Sequence, residues 1–389
     1  MMKKKIVVLT ATRAEYGLLS PIIKKLNQED NLDVHVVATG AHLSPEFGLT
    51  YREIEQDGVR IDKKIDILLS SDTAASVSKT MGLATISFAD YFEETKPDAL
   101  LVLGDRYETL AVCCAAMVFC IPIFHLYGGD TTEGAIDEAI RHSITKMSYL
   151  HFTSTETYRK RVIQLGEMPE RVYNVGAIGI ENARTIPLLT KEELEESLAF
   201  SLAKPYVLVT FHPVTLEAGG IEAQCMELIK VMEDRADYNF IITKANADSE
   251  GCTINQIFEE YAHNHTDRIA IYDSLGMRRY LSTVKYTTVV MGNSSSGIVE
   301  VPSFGVPTIN IGNRQRGRLS AKSVIHCSPD HVSIENALKL AESEEFRKEI
   351  ASVKNPYEKS GTSSKIVSTI LETLKGHIDL KKKFYDLEY

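Results

Sequence analysis

The sequence has no tryptophan, only six cysteines and no long apolar run. The cysteines and the missing apolar run indicate which classes of protein can be excluded. None of the six cysteines belongs to a CxxC pair or lies at zinc-finger spacing from a histidine, so a reducing compartment fits best. The most apolar run, residues 110–124, contains Pro122 and is too short to span a bilayer. We therefore expect a cytoplasmic protein with no membrane partner.

Positive charge is also in short supply. Lys and Arg total 43 against 53 Asp and Glu, which leaves a net charge of −10 and argues against a nucleic-acid partner. The first turn that follows an apolar run, TATRAEYG, has neither the GxGxxG nor the Walker A spacing. Dinucleotide and P-loop sites are therefore not predicted.

What the chain does contain is a regular alternation of short β-branched runs and helical patterns over 389 residues. Strands are predicted at residues 6–9, 34–38, 99–103, 122–124, 149–153, 172–175, 205–211, 240–243, 269–271, 287–291 and 308–311. Helices are predicted at residues 18–26, 74–94, 109–118, 136–146, 221–232, 254–261 and 277–283, with a short one near Glu181. Alternation of this kind is typical of parallel sheets covered on both faces.

The length indicates two domains, which we place at residues 1–180 and 181–365, with a hinge at 190–204. Residues 366–389 are predicted to form a helix and tail that pack back on the first domain. The predicted fold class is α/β, with two doubly wound Rossmann-like domains facing across a cleft. Most of the polar clusters directly follow a predicted strand, where open α/β sheets bind their ligands.

The stretch MGNSSSGIVEVPSFGVPTINIGNRQRGR carries the clearest site pattern. A strand leads through a small polar turn into a predicted helix, so the backbone N–H groups near Ser294 and Ser295 would form an anion site. Arg314 would clamp the same phosphate, and Glu300 would accept from a ribose diol. The alternative is an ordinary serine-rich helix cap.

Two clusters of the first half offer cations and acids. Arg13 lies at the end of the first predicted strand, where it would either meet a ligand or pair with Glu15. In LVLGDRYE, Asp105 and Arg106 would form a structural salt bridge, or Asp105 would be held ionised while Arg106 contacts a phosphate.

The segment FHLYGGDTTEGAIDEAIRH is the densest cluster. His125, Asp130 and Asp137 suit proton transfer, whereas the alternative is a helical Asp137–Arg141 pair with a packed His142. A metal held by His125 and Asp130 is a weaker hypothesis, because no tetrahedral ligand set is present. His212 in TFHPVTLE and His42 in ATGAHL are further strand-end histidines that would serve as an acid, a base or a ligand contact.

These motifs, together with STETYRKRVIQLGE and TINIGNRQRGR, follow one another over nearly the whole chain. In that order the sequence resembles the hydrolysing UDP-N-acetylglucosamine 2-epimerases of bacterial sialic acid synthesis. The resemblance implies a glycosyltransferase-B-like fold, UDP-GlcNAc and water as substrates, and UDP and N-acetylmannosamine as products. It implies no redox cofactor. From the residues we expect no metal, and we expect a homodimer or homotetramer.

The resemblance also implies roles for individual residues. Those expected to hold UDP are Arg13, Arg106, Ser294, Ser295, Glu300 and Arg314. Asp105, Asp137 and His212 are expected at the reacting sugar, with His125 and Asp130 as further catalytic candidates and His42 as a substrate contact. Many relatives carry a glutamate where this chain has Tyr127, so that Asp130, Glu133 or a tyrosine hydroxyl would replace it.

The expected reaction is loss of UDP from C1 with removal of the C2 proton, followed by addition of water to the resulting glycal. Four alternatives remain open at this point. The substrate would be a UDP- or GDP-linked 2,4-diacetamido-trideoxy sugar, or the enzyme would be a non-hydrolysing 2-epimerase. A glycosyltransferase of the same fold and a non-catalytic nucleotide-sugar sensor are the other two.

Overall fold

The computed structural model describes residues 3–71, 73–133, 135–214, 220–245 and 251–388. They form two compact units. The first contains the chain up to Asp130, Ile136–Asn182 and the chain from Lys359 onward, and the second contains Thr131–Ala135 and Ala183–Glu358. The chain therefore enters the second unit twice, briefly at Thr131–Ala135 and again from Ala183 to Glu358.

The first unit is built on parallel strands. They are β1 (Lys4–Thr10), β2 (Leu32–Thr39), β3 (Lys63–Ile65), β4 (Ala99–Leu103), β5 (Ile123–Leu126), β6 (Leu150–Thr153) and β7 (Val172–Asn174). The helices are α1 (Arg13–Leu26), α2 (Tyr51–Gln56), α3 (Ala74–Thr95), α4 (Tyr107–Val118), α5 (Asp137–Met147), α6 (Glu156–Gln164) and α7 (Ile178–Thr185). Over the described residues, the strand order is β3-β2-β1-β4-β5-β6-β7. Successive strands are therefore added on one side of β1 up to β3 and on its other side from β4 onward, which places β4 and β5 side by side.

Strand β4 shows why its sequence has no polar alternation. All five residues are buried, with Leu101 in the core on one face of the sheet and Leu100 and Val102 in the core on the other. A strand covered by helices on both faces needs apolar side chains at successive positions. The apolar runs therefore predicted this sheet well.

The second unit repeats the plan. Its strands are β8 (Tyr206–Thr210), β9 (Asn239–Thr243), β10 (Ile269–Tyr272), β11 (Val289–Gly292), β12 (Thr308–Ile311) and β13 (Val324–Cys327). Its helices are α8 (Lys191–Leu198), α9 (Ile221–Asp234), α10 (Gly251–His263), α11 (Gly276–Tyr286), α12 (Ser296–Val299), α13 (His331–Glu342) and α14 (Glu344–Ile350). Among the described residues these strands pair in parallel in the order β10-β9-β8-β11-β12-β13.

The prediction of a hinge at residues 190–204 is wrong. Thr190 and Glu193 form a capping box that starts α8, and Leu194 and Leu198 are buried in the core of the second unit. The glutamates that suggested a solvated linker lie on the outer face of an amphipathic helix. Such a pattern is difficult to distinguish from a linker because the helix has only two turns.

The chain ends in the first unit. Helix α15 (Thr362–Lys375) contributes Ile366 and Ile370 to the same core as Leu19 and Ile22 of α1. Helix α1 itself starts at Arg13, earlier than predicted, because Thr12 and Glu15 form a capping box. Within the described ranges, no helix is both long and apolar enough to cross a membrane.

Candidate functional site

In the first unit, Arg141 connects the predicted acids. Its guanidinium is 1% exposed and forms an ion pair with Asp105, which directly follows Gly104 at the end of β4. It also pairs with Glu138 at 2.8 Å, and its Nη1 donates to the carbonyl of Asp130 at 2.9 Å. One buried cation from α5 thereby joins the chain that follows β4 to the chain that follows β5.

The charge of Arg141 is secured by its partners. Burial acts to lower the pKa of the guanidinium, but the carboxylates of Asp105 and Asp130 raise it above its usual value. Asp130 is itself buried, and its Oδ1 accepts a hydrogen bond from the Ser154 hydroxyl at 3.0 Å. The arrangement therefore holds a carboxylate, Asp105, in a fixed place beside a permanent positive charge.

The sequence interpretation of this group needs one correction. Arg141 was considered only as a helical partner of Asp137, whereas its ion pairs include Asp105, 36 positions away. Arg106, which the sequence places next to Asp105, donates from its Nε to Glu108 at 2.8 Å. Sequence reasoning missed Arg141 as a site residue, although its spacing from Asp137 placed it on the same helical face.

His125 has a structural environment. It lies inside β5 with no exposed surface, and its Nε2–H donates to the carbonyl of Gly104 at 2.8 Å. Burial lowers its pKa to about 3, so the ring is neutral and its Nδ1 accepts from Thr145 at 3.3 Å. His125 thereby holds the backbone next to Asp105, and its part in catalysis stays a prediction. Among the described residues, no three His, Cys, Asp or Glu side chains are grouped to hold a metal ion.

His42 is likewise enclosed. Its ring is fully buried and shares hydrogen bonds with Thr10 at 2.9 Å and Thr50 at 2.8 Å, both to hydroxyl groups. Burial lowers its pKa to about 4. The ring of His42 thus joins the end of β1 to Thr50 at the start of α2, and its contact with substrate stays a prediction.

Arg13 and Glu15 do not form the pair considered from the sequence. Arg13 Nε contacts Glu53 at 2.7 Å. Glu15 is buried, and its Oε2 accepts from the N–H groups of Ala11 at 2.7 Å and Thr12 at 3.2 Å. Burial, with Glu108 nearby, raises the pKa of Glu15 to about 7.

Tyr127, Glu133 and Asp130, the candidates to replace the glutamate of the relatives, have different contacts. Tyr127 has a left-handed backbone with φ +68°, and its hydroxyl accepts from the N–H of Ile178 at 2.8 Å. Glu133 belongs to the second unit, where it pairs with Arg316 at 3.2 Å. Asp130 is the candidate that contacts Arg141.

In the second unit, Asn293 connects three segments. Its amide exchanges two hydrogen bonds of 2.7 Å with the backbone of His212. Its carbonyl accepts from Gln315 at 2.8 Å and from Arg314 at 3.2 Å. The ends of β8 and β11 and the turn after β12 thus meet at one buried amide, which brings His212 and Arg314 to the GNSSSG turn. Residues 215–217 of the TFHPVTLE motif lie outside the described residues.

The predicted helix after this turn is much shorter than expected. Helix α12 spans only Ser296–Val299, and a 3₁₀ turn containing Pro302 follows. Proline removes a backbone donor and disfavours a helical residue before it. The N–H of Gly297 donates to the Ser294 carbonyl at 3.2 Å, so the predicted helix-dipole site is corrected to a polar turn flanked by Arg314.

Glu300 occupies the junction between α12 and the 3₁₀ turn. Burial raises its pKa to about 7. Near neutral pH its carboxyl group therefore exists in both protonation states, which suits a group that exchanges hydrogen bonds with a hydroxyl-bearing ligand.

Comparison with known proteins agrees with the motifs. Residues 24–371 match the model of the UDP-N-acetylglucosamine 2-epimerase family. The chain is 43% identical, over 100% of both chains, to the GDP/UDP-N,N'-diacetylbacillosamine 2-epimerase (hydrolyzing) of Campylobacter jejuni. It is 39% identical to the polysialic acid biosynthesis protein P7 of Escherichia coli, over 99% of this chain and 98% of the relative.

Solved structures share the fold. The UDP-GlcNAc 2-epimerase of Neisseria meningitidis, solved with UDP-GlcNAc bound, matches with a TM-score of 0.80 at 20% identity and covers 95% of this chain and 100% of its own. The MnaA–UDP structure of S. aureus also matches with a TM-score of 0.80 at 20% identity, over 99% of this chain and 100% of its own. This likeness confirms the predicted α/β class with two doubly wound, glycosyltransferase-B-like domains.

Proposed function

Because this chain belongs to the UDP-N-acetylglucosamine 2-epimerase family, we propose that it is a hydrolysing 2-epimerase of a nucleotide-linked 2-acetamido sugar. It would release the nucleoside diphosphate, invert the configuration at C2 and deliver the free sugar. The observation that carries this proposal is the ion pair between the buried Arg141 and Asp105, beside Asp130, after the ends of neighbouring parallel strands.

The chemistry explains why such a set is needed. The C2 hydrogen of a glycoside is barely acidic, since no carbonyl lies next to it. When the C1–O bond to the diphosphate breaks, the leaving group takes the electron pair and positive charge develops at C1, which acidifies the C2 proton. A base removes that proton and a C1=C2 double bond forms. Water then adds its oxygen to C1, and a proton returns to the opposite face of C2.

The reaction needs one carboxylate to stabilise the charge at C1 and another to remove the C2 proton, and Asp105 and Asp137 suit these two roles. Asp105, placed by the buried Arg141, would stabilise the positive charge at C1 electrostatically. Asp137 is the first residue of α5 and is partly exposed, so it would exchange its proton with solvent and serve as the base. Asp130 would take the place of the glutamate that Tyr127 replaces.

The second unit supplies groups for the nucleotide. Arg314 and the Ser294–Ser295 turn, joined through Asn293, would hold the diphosphate as it gains charge. Glu300 would accept from the ribose diol, and His212 would donate to the leaving oxygen or the phosphate. Arg13 and Arg106 would add positive charge from the first unit. The location in the cytoplasm and the oligomeric state stay predictions.

Two substrates are candidates. UDP-GlcNAc, which yields N-acetylmannosamine for sialic acid synthesis, is supported by the similarity to the polysialic acid biosynthesis protein P7. A UDP- or GDP-linked 2,4-diacetamido-trideoxy sugar is favoured by the 43% identity to the Campylobacter jejuni enzyme that carries that substrate in its name.

The test is turnover of both substrates in deuterated water, followed by NMR and by assay of the released nucleotide. We expect free nucleotide, free sugar and deuterium at C2, with the larger kcat/KM identifying the substrate. A nucleotide-linked epimer would identify a non-hydrolysing enzyme. Protium fully retained at C2 would exclude elimination and favour hydrolysis or glycosyl transfer. Tight nucleotide binding without turnover would indicate a sensor.

A further inference from the structure

The end of the chain is bound tightly to the first unit although it has no helix or strand. Residues 376–388, which follow α15 and which we call the C-terminal strap, include Lys382 with its side chain 20% exposed. The side chains of Lys381 and Lys383, on either side of it, are exposed. One lysine of three consecutive lysines therefore turns inward.

Lys382 caps the C-terminal end of α5. Its Nζ donates to the carbonyl of Lys146 at 3.0 Å and to the carbonyl of Ser148 at 2.6 Å. The last carbonyls of a helix have no partner within the helix and carry the negative end of its dipole. An ammonium group at this position satisfies one of them, the Lys146 carbonyl, together with the carbonyl of the C-cap residue Ser148, and is attracted by the dipole.

The third contact of Lys382 is an ion pair with Glu167 at 2.6 Å. Glu167 is 2% exposed and also contacts Lys146 at 2.6 Å and the buried His151 at 3.1 Å. Burial acts to raise the pKa of Glu167, but these hydrogen bonds lower it to about 2. The carboxylate is thus charged throughout the physiological range and holds the strap and the last turn of α5 together.

Two aromatic residues fasten the strap further along. The ring of Phe384 lies so close to Gly166 that a Cβ at that glycine would approach it within 2.3 Å. The N–H of Tyr385 donates to the Gly166 carbonyl at 2.9 Å, and the Tyr385 side chain packs on Val162 and Ile163. These contacts follow Lys382 in the chain and extend the attachment of the strap toward its end.

The helix that the strap holds carries the charged cluster at its other end. Helix α5 begins at Asp137 with no side-chain cap, and its Arg141 forms the ion pair with Asp105. Because the side chain of the N-cap residue Ile136 gives this three-turn helix no cap, contacts at its last turn help to set its axial position. A shift along the axis would move Arg141 and Asp137 together.

We propose that the C-terminal strap fixes the axial position of α5 and that Lys382 is a positioning residue for the Asp105–Arg141 pair. This inference rests on the proposed function, because it assigns the catalytic cluster to α5. Lys382 acts from the opposite end of the helix and contacts no candidate catalytic side chain.

The experiment compares Lys382→Met with Lys382→Arg and with the matched controls Lys381→Met and Lys383→Met in the full-length chain. All three methionine variants lose one charge from the same segment, but only one loses the helix cap. We expect Lys382→Met to lower kcat by about 10-fold or more with KM within about twofold, the scale of a small misplacement of catalytic groups. Lys382→Arg should regain most of kcat, because its guanidinium keeps the donors.

Hydrogen exchange gives a readout that does not depend on turnover. In Lys382→Met, the amides of α5 should exchange faster over the whole helix, while those of α1 should not change. Loss of kcat together with faster exchange in α5, absent from both controls, supports the inference. Wild-type kcat in Lys382→Met, or an equal loss in Lys381→Met, overturns it. If the wild-type enzyme turns over neither sugar nucleotide, the proposed function fails. If the wild-type enzyme is active but hydrogen exchange of α5 is unchanged in Lys382→Met, only the inference about the strap fails.

Discussion

A substitution at Asp105 can test whether the negative charge of its side chain, and not its shape, is needed for catalysis. Asp105→Asn keeps the size of the side chain but removes its negative charge beside Arg141. We expect kcat to fall by about a thousandfold, within the range for charged catalytic groups, while UDP affinity changes only a few-fold. Steady-state kinetics and calorimetry measure the two quantities. Glu138→Gln, which also removes a carboxylate partner of Arg141, should lose much less activity, and an equal loss would mean that Asp105 matters only through Arg141.

At the scale of elements, the close approach of β11 to β8 is decided by Gly292. Its φ is +134°, and a Cβ there would meet the Thr210 carbonyl oxygen at 1.9 Å. Gly292→Ala should therefore lower the free energy of unfolding by about 3 kcal/mol from backbone strain and forced separation of the strands. Gly305→Ala is the matched control, since its φ is +67° with nothing within 4 Å, and should cost about 1 kcal/mol. Urea unfolding compares them, and equal losses would contradict the steric argument.

For the whole molecule, the acids and the histidines whose pKa values are shifted act on stability in opposite directions. Burial raises the pKa of Glu15 and Glu300 to about 7, so each binds its proton more strongly when folded. Their contribution is complete below the unfolded pKa near 4.5 and is lost as pH rises through 7. His42 and His125, with pKa lowered to about 4 and about 3, bind protons more strongly when unfolded. Their effect increases stability with pH up to about 6.5.

The two effects offset one another below pH 6.5, and only the glutamates titrate above it. We therefore expect the urea midpoint to fall between pH 6.5 and pH 8. Glu300→Gln should remove roughly 1 kcal/mol of this fall, and up to about 3 kcal/mol of the larger difference between pH 5 and pH 8, the linkage equivalent of its pKa shift. Measured against wild type, the variant should gain relative stability at pH 8 compared with pH 5. A constant difference between the two proteins at both pH values would mean that Glu300 keeps an ordinary pKa when folded.

Some of the observed strands and helices could be predicted from the sequence and others could not. Strands β4 and β12 were predicted with their observed bounds, because continuous apolar runs between turn residues define a buried strand. Strands β3 and β13 were missed, since edge strands are short and half exposed. Helix α13 was also missed, because its pattern follows the last cluster of site motifs, where only the helical period marks it. Helix α15 overlaps the helix and tail predicted for residues 366–389 and begins a few residues earlier.

The sequence by itself determined the alternation of strands and helices, the family resemblance and the position of each polar cluster after a strand, because these depend on spacings of a few residues. Only the tertiary structure decided which charged groups meet. Asp105 pairs with Arg141 because the sheet places β4 beside β5 and packs α5 against both. It also decided that His42 and His125 are buried and neutral. Burial depends on elements distant in sequence, which no local pattern encodes.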